Sequence, residues 1–290
     1  ITWRRVIDVN DRSLRNIIVG LGSKEDGVTR QTGFDITAAS EVMAILALAT
    51  SIEDMRARFG RIVVGYNTKG VPVTAEQLSG AGSMAVIMRE AIKPNLLQTL
   101  ENTPVIVHAG PFGNIAHGNS SIIGDMIGIH CGDYLITEAG FGADMGAERF
   151  FNIKCRTSGL VPDAAVLVTT VRALKAHSGK HKIVAGKALP AELLAENPSD
   201  VEAGGANLKK QIENVKAHGV TPVVAINAFP TDHKSEHDVI RRIAAEAGAR
   251  VAVCTHFADG GAGAVDLAKA VVEACQEENG FHLLYPSDAS

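Results

Sequence analysis

The chain has 290 residues, of which 46% are hydrophobic and 21% charged, a composition that excludes a disordered polymer and allows two domains with cores of their own. The formal net charge is -4, and no basic face is concentrated anywhere, which argues against nucleic acid as a partner. No apolar stretch is long enough to span a bilayer, and no signal-peptide pattern opens the chain.

In chain order the predicted elements alternate. A helical period runs over 38–50, followed by an apolar strand at Arg61–Gly65 and a second helical segment over 84–91. Strands follow at Pro104–His108, Tyr134–Thr137 and Ala165–Thr169. The least regular stretch, 178–205, holds Pro190, Pro198 and Gly204-Gly205 and reads as a surface excursion near a domain boundary. Beyond it, a helix over 206–218 puts Leu208, Ile212 and Val215 on one face and stops at His218-Gly219. Strand Pro222–Ile226, helix 237–247, strand Arg250–Cys254 and helix 264–277 complete the order. The strands are short, rich in Val and Ile, and apolar on both alternating faces, as a parallel sheet covered on both sides requires. The expected fold is α/β with a doubly wound, mostly parallel sheet. Cys131, Cys155, Cys254 and Cys275 are scattered, with no CxxC pair and no metal-ligand spacing. Reduced thiols in a cytoplasmic protein, and no metal site, are expected. The chain opens on Ile1, and its first residues read as the middle of a longer protein.

Ligands of open α/β sheets bind beyond the carboxyl ends of the strands. Here those ends are rich in glycine and small polar residues, and glycine lets backbone approach a ligand and present N–H donors. Four such loops, 108–121, 137–146, 227–232 and 255–263, each carry a phenylalanine: Phe112, Phe141, Phe229 and Phe257. Each ring either plugs its own loop or faces a flat ligand. Phe229 and Phe257 could sandwich a heteroaromatic ring. His108 and His117 bracket the first loop, in structural or catalytic roles. Asn227 and Asp232 could read the edge of a base or pterin, and Asp232 would equally serve as a helix N-cap.

Collinear motifs make a family visible. They are Thr2-Trp3-Arg4-Arg5-Val6, Glu101-Asn102-Thr103-Pro104, Gly110-Pro111-Phe112, Asn114-Ile115-Ala116-His117-Gly118, Thr137-Glu138-Ala139-Gly140-Phe141-Gly142-Ala143-Asp144, Val171-Arg172-Ala173-Leu174-Lys175 and Asn227-Ala228-Phe229-Pro230-Thr231-Asp232. Together they resemble formate–tetrahydrofolate ligase over essentially the whole chain. The resemblance implies ATP-dependent joining of formate to tetrahydrofolate through formyl phosphate, giving 10-formyltetrahydrofolate, ADP and phosphate. It also implies magnesium with the ATP, a monovalent cation (potassium or ammonium) and a homo-oligomer, dimer or tetramer. The implied fold is similar to P-loop nucleotide hydrolases, with 1–205 as the remainder of the large nucleotide-binding domain. Residues 206–290 would form a second, smaller α/β domain contributing to the folate site.

Carried over residue by residue, Phe229, Pro230 and Phe257 would line the folate pocket. Phe141, Gly142, Asp144, Asn227 and Asp232 would line the nucleotide and intermediate end. Phe257-Ala258-Asp259-Gly260-Gly261 stands where the family commonly has Trp-Ala-Lys-Gly-Gly, so stacking area shrinks and a charge reverses at Asp259. The family's Gly-Glu-Gly-Lys-Thr phosphate loop and its formyl phosphate arginine have no counterpart in these residues, so no catalytic residue is assigned. The chain is therefore expected to be a fragment that is inactive alone. Two alternatives remain: a non-catalytic assembly or regulatory fragment, and a related ligase acting on another small carboxylate.

Overall fold

The computed structural model describes residues 1–109 and 117–289. Phe112, with the Gly110-Pro111-Phe112 and Asn114-Ile115-Ala116 motifs, lies outside them. The fold is α/β and divides into two compact units, Ile1–Phe141 with Glu148–Ser158 and Gly142–Ala147 with Gly159–Ser290.

In the first unit the strands form two-stranded pairs. β1 (Arg5–Val6) lies parallel to β4 (Phe34–Asp35). β2 (Ile17–Val19) pairs antiparallel with β3 (Arg30–Thr32), β5 (Val63–Tyr66) with β6 (Pro72–Thr74), and β7 (Asn95–Gln98) with β8 (Pro104–Val107). The core packs α1 (Glu41–Leu48), α2 (Ile52–Gly60) and α3 (Ala81–Ile87) through Leu46, Met55, Phe59, Ala81 and Ala85, with Trp3 against them. Each of the first two helices starts where a serine caps it. Ser40 Oγ accepts the Val42 N–H and Ser51 Oγ accepts the Asp54 N–H, satisfying donors that the first turn leaves free.

Of the strands expected in a mostly parallel sheet, β5 and β8 instead pair antiparallel with short neighbours. The expectation is also corrected for Tyr134–Thr137, which forms no strand. That run has no ladder partner among the described residues. Ile136 is 87% exposed, and Leu135 packs instead on Gly128. An apolar run of this length does not specify which partner, if any, pairs with it.

The second unit holds the parallel sheet. β9 (Ala164–Thr169), β10 (Thr221–Asn227) and β11 (Arg250–Cys254) lie in the order β11-β10-β9, parallel throughout. Val223, Val224, Ala225 and Ile226 are all buried, so both faces of β10 are covered, as its unbroken apolar run requires. The covering helices are α8 (Pro198–Ala217), α9 (Lys234–Glu246) and α11 (Val265–Cys275), with α6 (Val171–His177) and the short α7 (Ala191–Leu194) packed beside them. Leu208, Ile212 and Val215 are buried on α8 as the periodicity predicts. The helix ends at His218 with Gly219 at φ 77°.

The excursion expected over 178–205 is continuously exposed only over 182–189. Leu193, Asp200, Val201, Gly204 and Gly205 are buried, and the boundary placed after residue 205 falls inside α8. The two glycines that read as loop punctuation are close-approach positions instead. A Cβ on Gly204 would lie 1.8 Å from the Leu174 carbonyl oxygen of α6.

Candidate functional site

Three loops leave the carboxyl edge of the β9-β10-β11 sheet, where this architecture places ligands. After β9, Thr170 Oγ1 accepts the Ala173 N–H and caps α6. That cap starts the helix so that Arg172 stands in its first turn and Lys175 lies one turn further in. After β10, the Ala228 N–H reaches the Cys254 carbonyl oxygen at 3.0 Å and extends the ladder.

The loop then closes on itself. The Phe229 N–H donates to Asp232 Oδ2 at 3.0 Å, and the Asp232 N–H donates to the Phe229 carbonyl at 2.9 Å. His237 Nε2 lies 3.3 Å from the same carboxylate oxygen. Asp232 is thus the anchor of the Phe229 loop. The N-cap reading of Asp232 gives way to His233, whose N–H is held by Glu236 Oε2 at 3.0 Å as α9 begins.

Arg172 joins this loop. Its guanidinium carbon stands 4.0 Å from the centroid of the Phe229 ring, and Nη2 donates to Thr231 Oγ1 at 2.9 Å. Its Nε–H is buried with no acceptor, and it forms no ion pair among the described residues. A cation over an aromatic ring contributes about 0.5–2 kcal/mol, while a buried donor left unmet costs about 1–3 kcal/mol. The two effects offset each other, so stability alone does not explain the placement.

Beneath the loops lies a buried ion pair, Lys175 with Glu236, both almost wholly enclosed. Lys175 Nζ also donates to the carbonyls of Leu193 and Ala195. Glu236 accepts the Asn197 and His233 N–H groups. Burial pushes the Glu236 carboxyl upward, but these hydrogen bonds and the Lys175 charge together bring it below its ordinary range. The pair ties the starts of α8 and α9 to α6, and it thereby fixes the base of the Arg172–Phe229 arrangement.

After β11, Phe257 lies in α10 (His256–Asp259) and is 93% exposed. No ring contact joins it to Phe229 among the described residues. Asp259, the residue expected to reverse a charge, accepts the Thr255 Oγ1 hydrogen bond at 2.7 Å and closes its own turn. Gly263 is required there, because a Cβ would meet Thr255 Oγ1 at 2.6 Å. Asn227 ends β10 opposite Cys254, and Pro230 is exposed beside Phe229.

The remaining predicted residues are Phe141, Gly142 and Asp144. Phe141 ends the first stretch of the first unit at φ 68°, with the Arg149 guanidinium 5.4 Å from its ring centroid. Gly142 and Asp144 belong to the segment grouped with the second unit. There Gly142 accepts the N–H groups of Met145 and Gly146 as α5 (Gly146–Arg149) begins.

Within the first unit the histidine loop is a buried polar cluster. His108 bridges Ser121 Oγ (2.6 Å) and the Ala91 carbonyl (2.8 Å), while Ser121 caps α4 (Ile122–Cys131). These contacts give His108 a structural role. Asp125 pairs with Lys154 at 2.5 Å, both buried, where α5 runs on through a π turn, Phe150–Cys155. His117 Nε2 meets the Ser120 carbonyl at 3.3 Å, and its Nδ1 has no partner.

Burial pushes the His117 ring down to about 4; the hydrogen bond to Ser120 opposes this and the charges of Lys154 and Arg149 add to it. A base whose folded pKa is depressed below its unfolded value of about 6.5 protonates more readily when unfolded. Its stability contribution is complete above pH 6.5 and falls away down to about pH 4. The loss should be on the order of 2–3 kcal/mol in urea titrations across that window, and His117→Asn should flatten it.

In the fold Phe229 and Asp232 are joined by two hydrogen bonds, while Asn227 ends β10 opposite Cys254. Arg172 and Lys175 stood out in sequence only as part of the Val171–Lys175 motif, with no role, and Glu236 did not stand out. A further signal was position, since Arg172 follows the carboxyl end of a parallel strand by three residues.

Comparison with known proteins adds a family. The family model described as formate–tetrahydrofolate ligase matches residues 1–290. A formate–tetrahydrofolate ligase of Saccharopolyspora erythraea is 72% identical over 289 residues, covering 100% of this chain and 51% of that protein. Formate–tetrahydrofolate ligase 3 of Rubrobacter xylanophilus is 69% identical, covering 99% and 52%. The ligase of Cutibacterium acnes is 66% identical, covering 100% and 52%. The chain spans about half the length of the relatives it matches.

Proposed function

Since the chain belongs to the formate–tetrahydrofolate ligase family, we propose that it supplies the folate side of an ATP-dependent ligase that joins formate to tetrahydrofolate. The observation that carries this reading is the Phe229 loop, pinned at both ends by Asp232 at the carboxyl edge of a parallel sheet. A ring fixed in that way presents a flat apolar wall with little ordering left to do on binding. Pro230 stiffens the wall and Phe257, exposed on the neighbouring loop, is the second apolar surface for a pterin.

The chemistry asks for such a wall. Formate is a poor electrophile until phosphorylation makes phosphate a leaving group. The folate amine then attacks the formyl carbon and phosphate departs, in a site that must exclude water. Within the second unit, Gly142, Asp144 and Asn227 are assigned to the nucleotide and intermediate end, with Asp232 holding the loop beside it. No GxxxxGK[ST] sequence occurs in these residues, so this chain alone does not complete the reaction.

A doubly wound, P-loop-like architecture for the large domain, magnesium with the ATP, a potassium or ammonium ion, a homodimer or homotetramer, and a cytoplasmic setting belong to the same proposal. Among the described residues no group of three or more His, Cys, Asp or Glu is placed to hold a metal ion. No helix among them is long and apolar enough to cross a membrane. The test is binding: Phe229→Ala should weaken tetrahydrofolate by about tenfold or more in a calorimetric titration, the loss of one aromatic stacking partner. Unchanged affinity in that variant would remove Phe229 from the site.

A further inference from the structure

We propose that Arg172 is the oxyanion anchor of this site, the residue that grips a carboxylate or phosphate oxygen of the ligand bound beside Phe229. The inference rests in part on the folate reading of the same loops.

Four observations converge on it. Arg172 stands just beyond the carboxyl end of a parallel strand, where ligands of open sheets bind. Its guanidinium carbon lies 4.0 Å from the Phe229 ring centroid and Nη2 donates to Thr231 Oγ1 at 2.9 Å, so two contacts hold the group beside the loop. Its Nε–H is enclosed and lacks an acceptor, and Nη1 makes no hydrogen bond among the described residues. It has no carboxylate partner among those residues either. Asp232, the carboxylate of the adjoining loop, is committed to the Phe229 N–H and His237.

A planar fork with an unmet donor and no counter-charge recognises one chemistry above others, an oxyanion taken in the plane of the guanidinium. Lysine cannot replace it, because an ammonium lacks both the plane and the fixed donor pair. In the reacting system a carboxylate is carried by the glutamate tail of the folate and by formate, and a phosphate by the nucleotide and the activated formate. The two that the probes below separate are the folate tail and a phosphate.

The experiment uses the whole chain, with Arg172→Lys, Arg172→Ala and Phe229→Ala beside it. Far-ultraviolet spectra and thermal midpoints first establish that each is folded. Each is titrated with tetrahydrofolate, with a tetrahydropterin that lacks the aminobenzoylglutamate tail, and with inorganic phosphate followed by its phosphorus resonance. If the carboxylate is the partner, Arg172→Lys weakens tetrahydrofolate about tenfold or more and leaves the tailless pterin unchanged. If the phosphate is the partner, saturable phosphate binding disappears in Arg172→Ala while tetrahydrofolate is unaffected.

Equal weakening of tetrahydrofolate and the tailless pterin would overturn the proposal, since it would make Arg172 a support for the ring. So would variants that match the parent with all three probes. Tetrahydrofolate binding that is lost in Phe229→Ala and retained in both Arg172 variants, with no phosphate binding, overturns the anchor and leaves the folate reading standing. Phosphate binding that depends on Arg172 in a chain that ignores tetrahydrofolate does the reverse. A folded parent chain that binds none of the probes overturns both.

Discussion

Replacing Lys175 by methionine should lower the stability of the second unit by about 3–5 kcal/mol, the loss expected when one partner of a buried ion pair is removed. The physical reason is Glu236. Its carboxylate is fully buried and stays charged because Lys175 and two backbone N–H groups meet it. Without the ammonium only the two N–H donors remain, and burial then dominates and drives the carboxyl to protonate. The deficit should therefore shrink as pH falls through the carboxylate range of the variant. A second change, Glu236→Leu in the Lys175→Met background, should recover part of the loss, because two apolar groups avoid the stranded charge. Chemical denaturation of the three variants checks this. A single-variant loss under about 1 kcal/mol, the scale of an exposed pair, would show that solvent reaches the couple.

Gly204→Ala should be nearly as damaging, at about 3 kcal/mol, above the usual alanine-for-glycine gain in a helix and at the upper end of overpacking costs. Alanine normally stabilises a helix interior relative to glycine. Here the new methyl would lie 1.8 Å from the Leu174 carbonyl oxygen and 2.7 Å from its carbon, both backbone atoms that cannot rotate away. Helix α8 would have to move off α6. The start of α6 carries Arg172, so the same substitution should disturb the Phe229 loop. Gly205→Ala is the internal comparison. There the nearest atom is the tip of Ile243, at 2.4 Å, which can change rotamer, so the loss should be distinctly smaller. A thermal midpoint for Gly204→Ala at or above the parent value would contradict the close crossing.

These two cases show where sequence reading succeeded and where it ran out. The parallel strands β9, β10 and β11 were legible because their apolar runs are unbroken and both faces of β10 are buried. Helix α8 was legible from Leu208 onward, where apolar spacing follows one face. Its first turns were not, because Gly204 and Gly205 give the same signal in a loop and at a tight helix crossing. Strand pairing in the first unit was also out of reach. The Val63–Tyr66 and Pro104–Val107 runs resemble buried parallel strands, yet each finds a short antiparallel neighbour. A local pattern reports burial and period but carries no partner.

The site divides in the same manner. Phe229 and Asp232 could be grouped from sequence because they stand three residues apart in one loop. Asp232 as an anchor of that loop was not legible, since the two hydrogen bonds that define it depend on the turn the backbone takes. Arg172 lies 57 residues from Phe229 in the chain, and only the parallel pairing of β9 with β10 brings them together. Asp259 reads from sequence as a reversed charge, whereas in the fold it closes a turn on Thr255.

The most direct test of the central claim, that the folate side of a ligase site lies at this sheet edge, is a calorimetric titration of the purified, folded chain with tetrahydrofolate kept reduced. The expected result is saturable binding, one ligand per chain, that Phe229→Ala weakens by about tenfold or more. A folded chain that takes up no tetrahydrofolate, or takes it up equally well without the Phe229 ring, would contradict it.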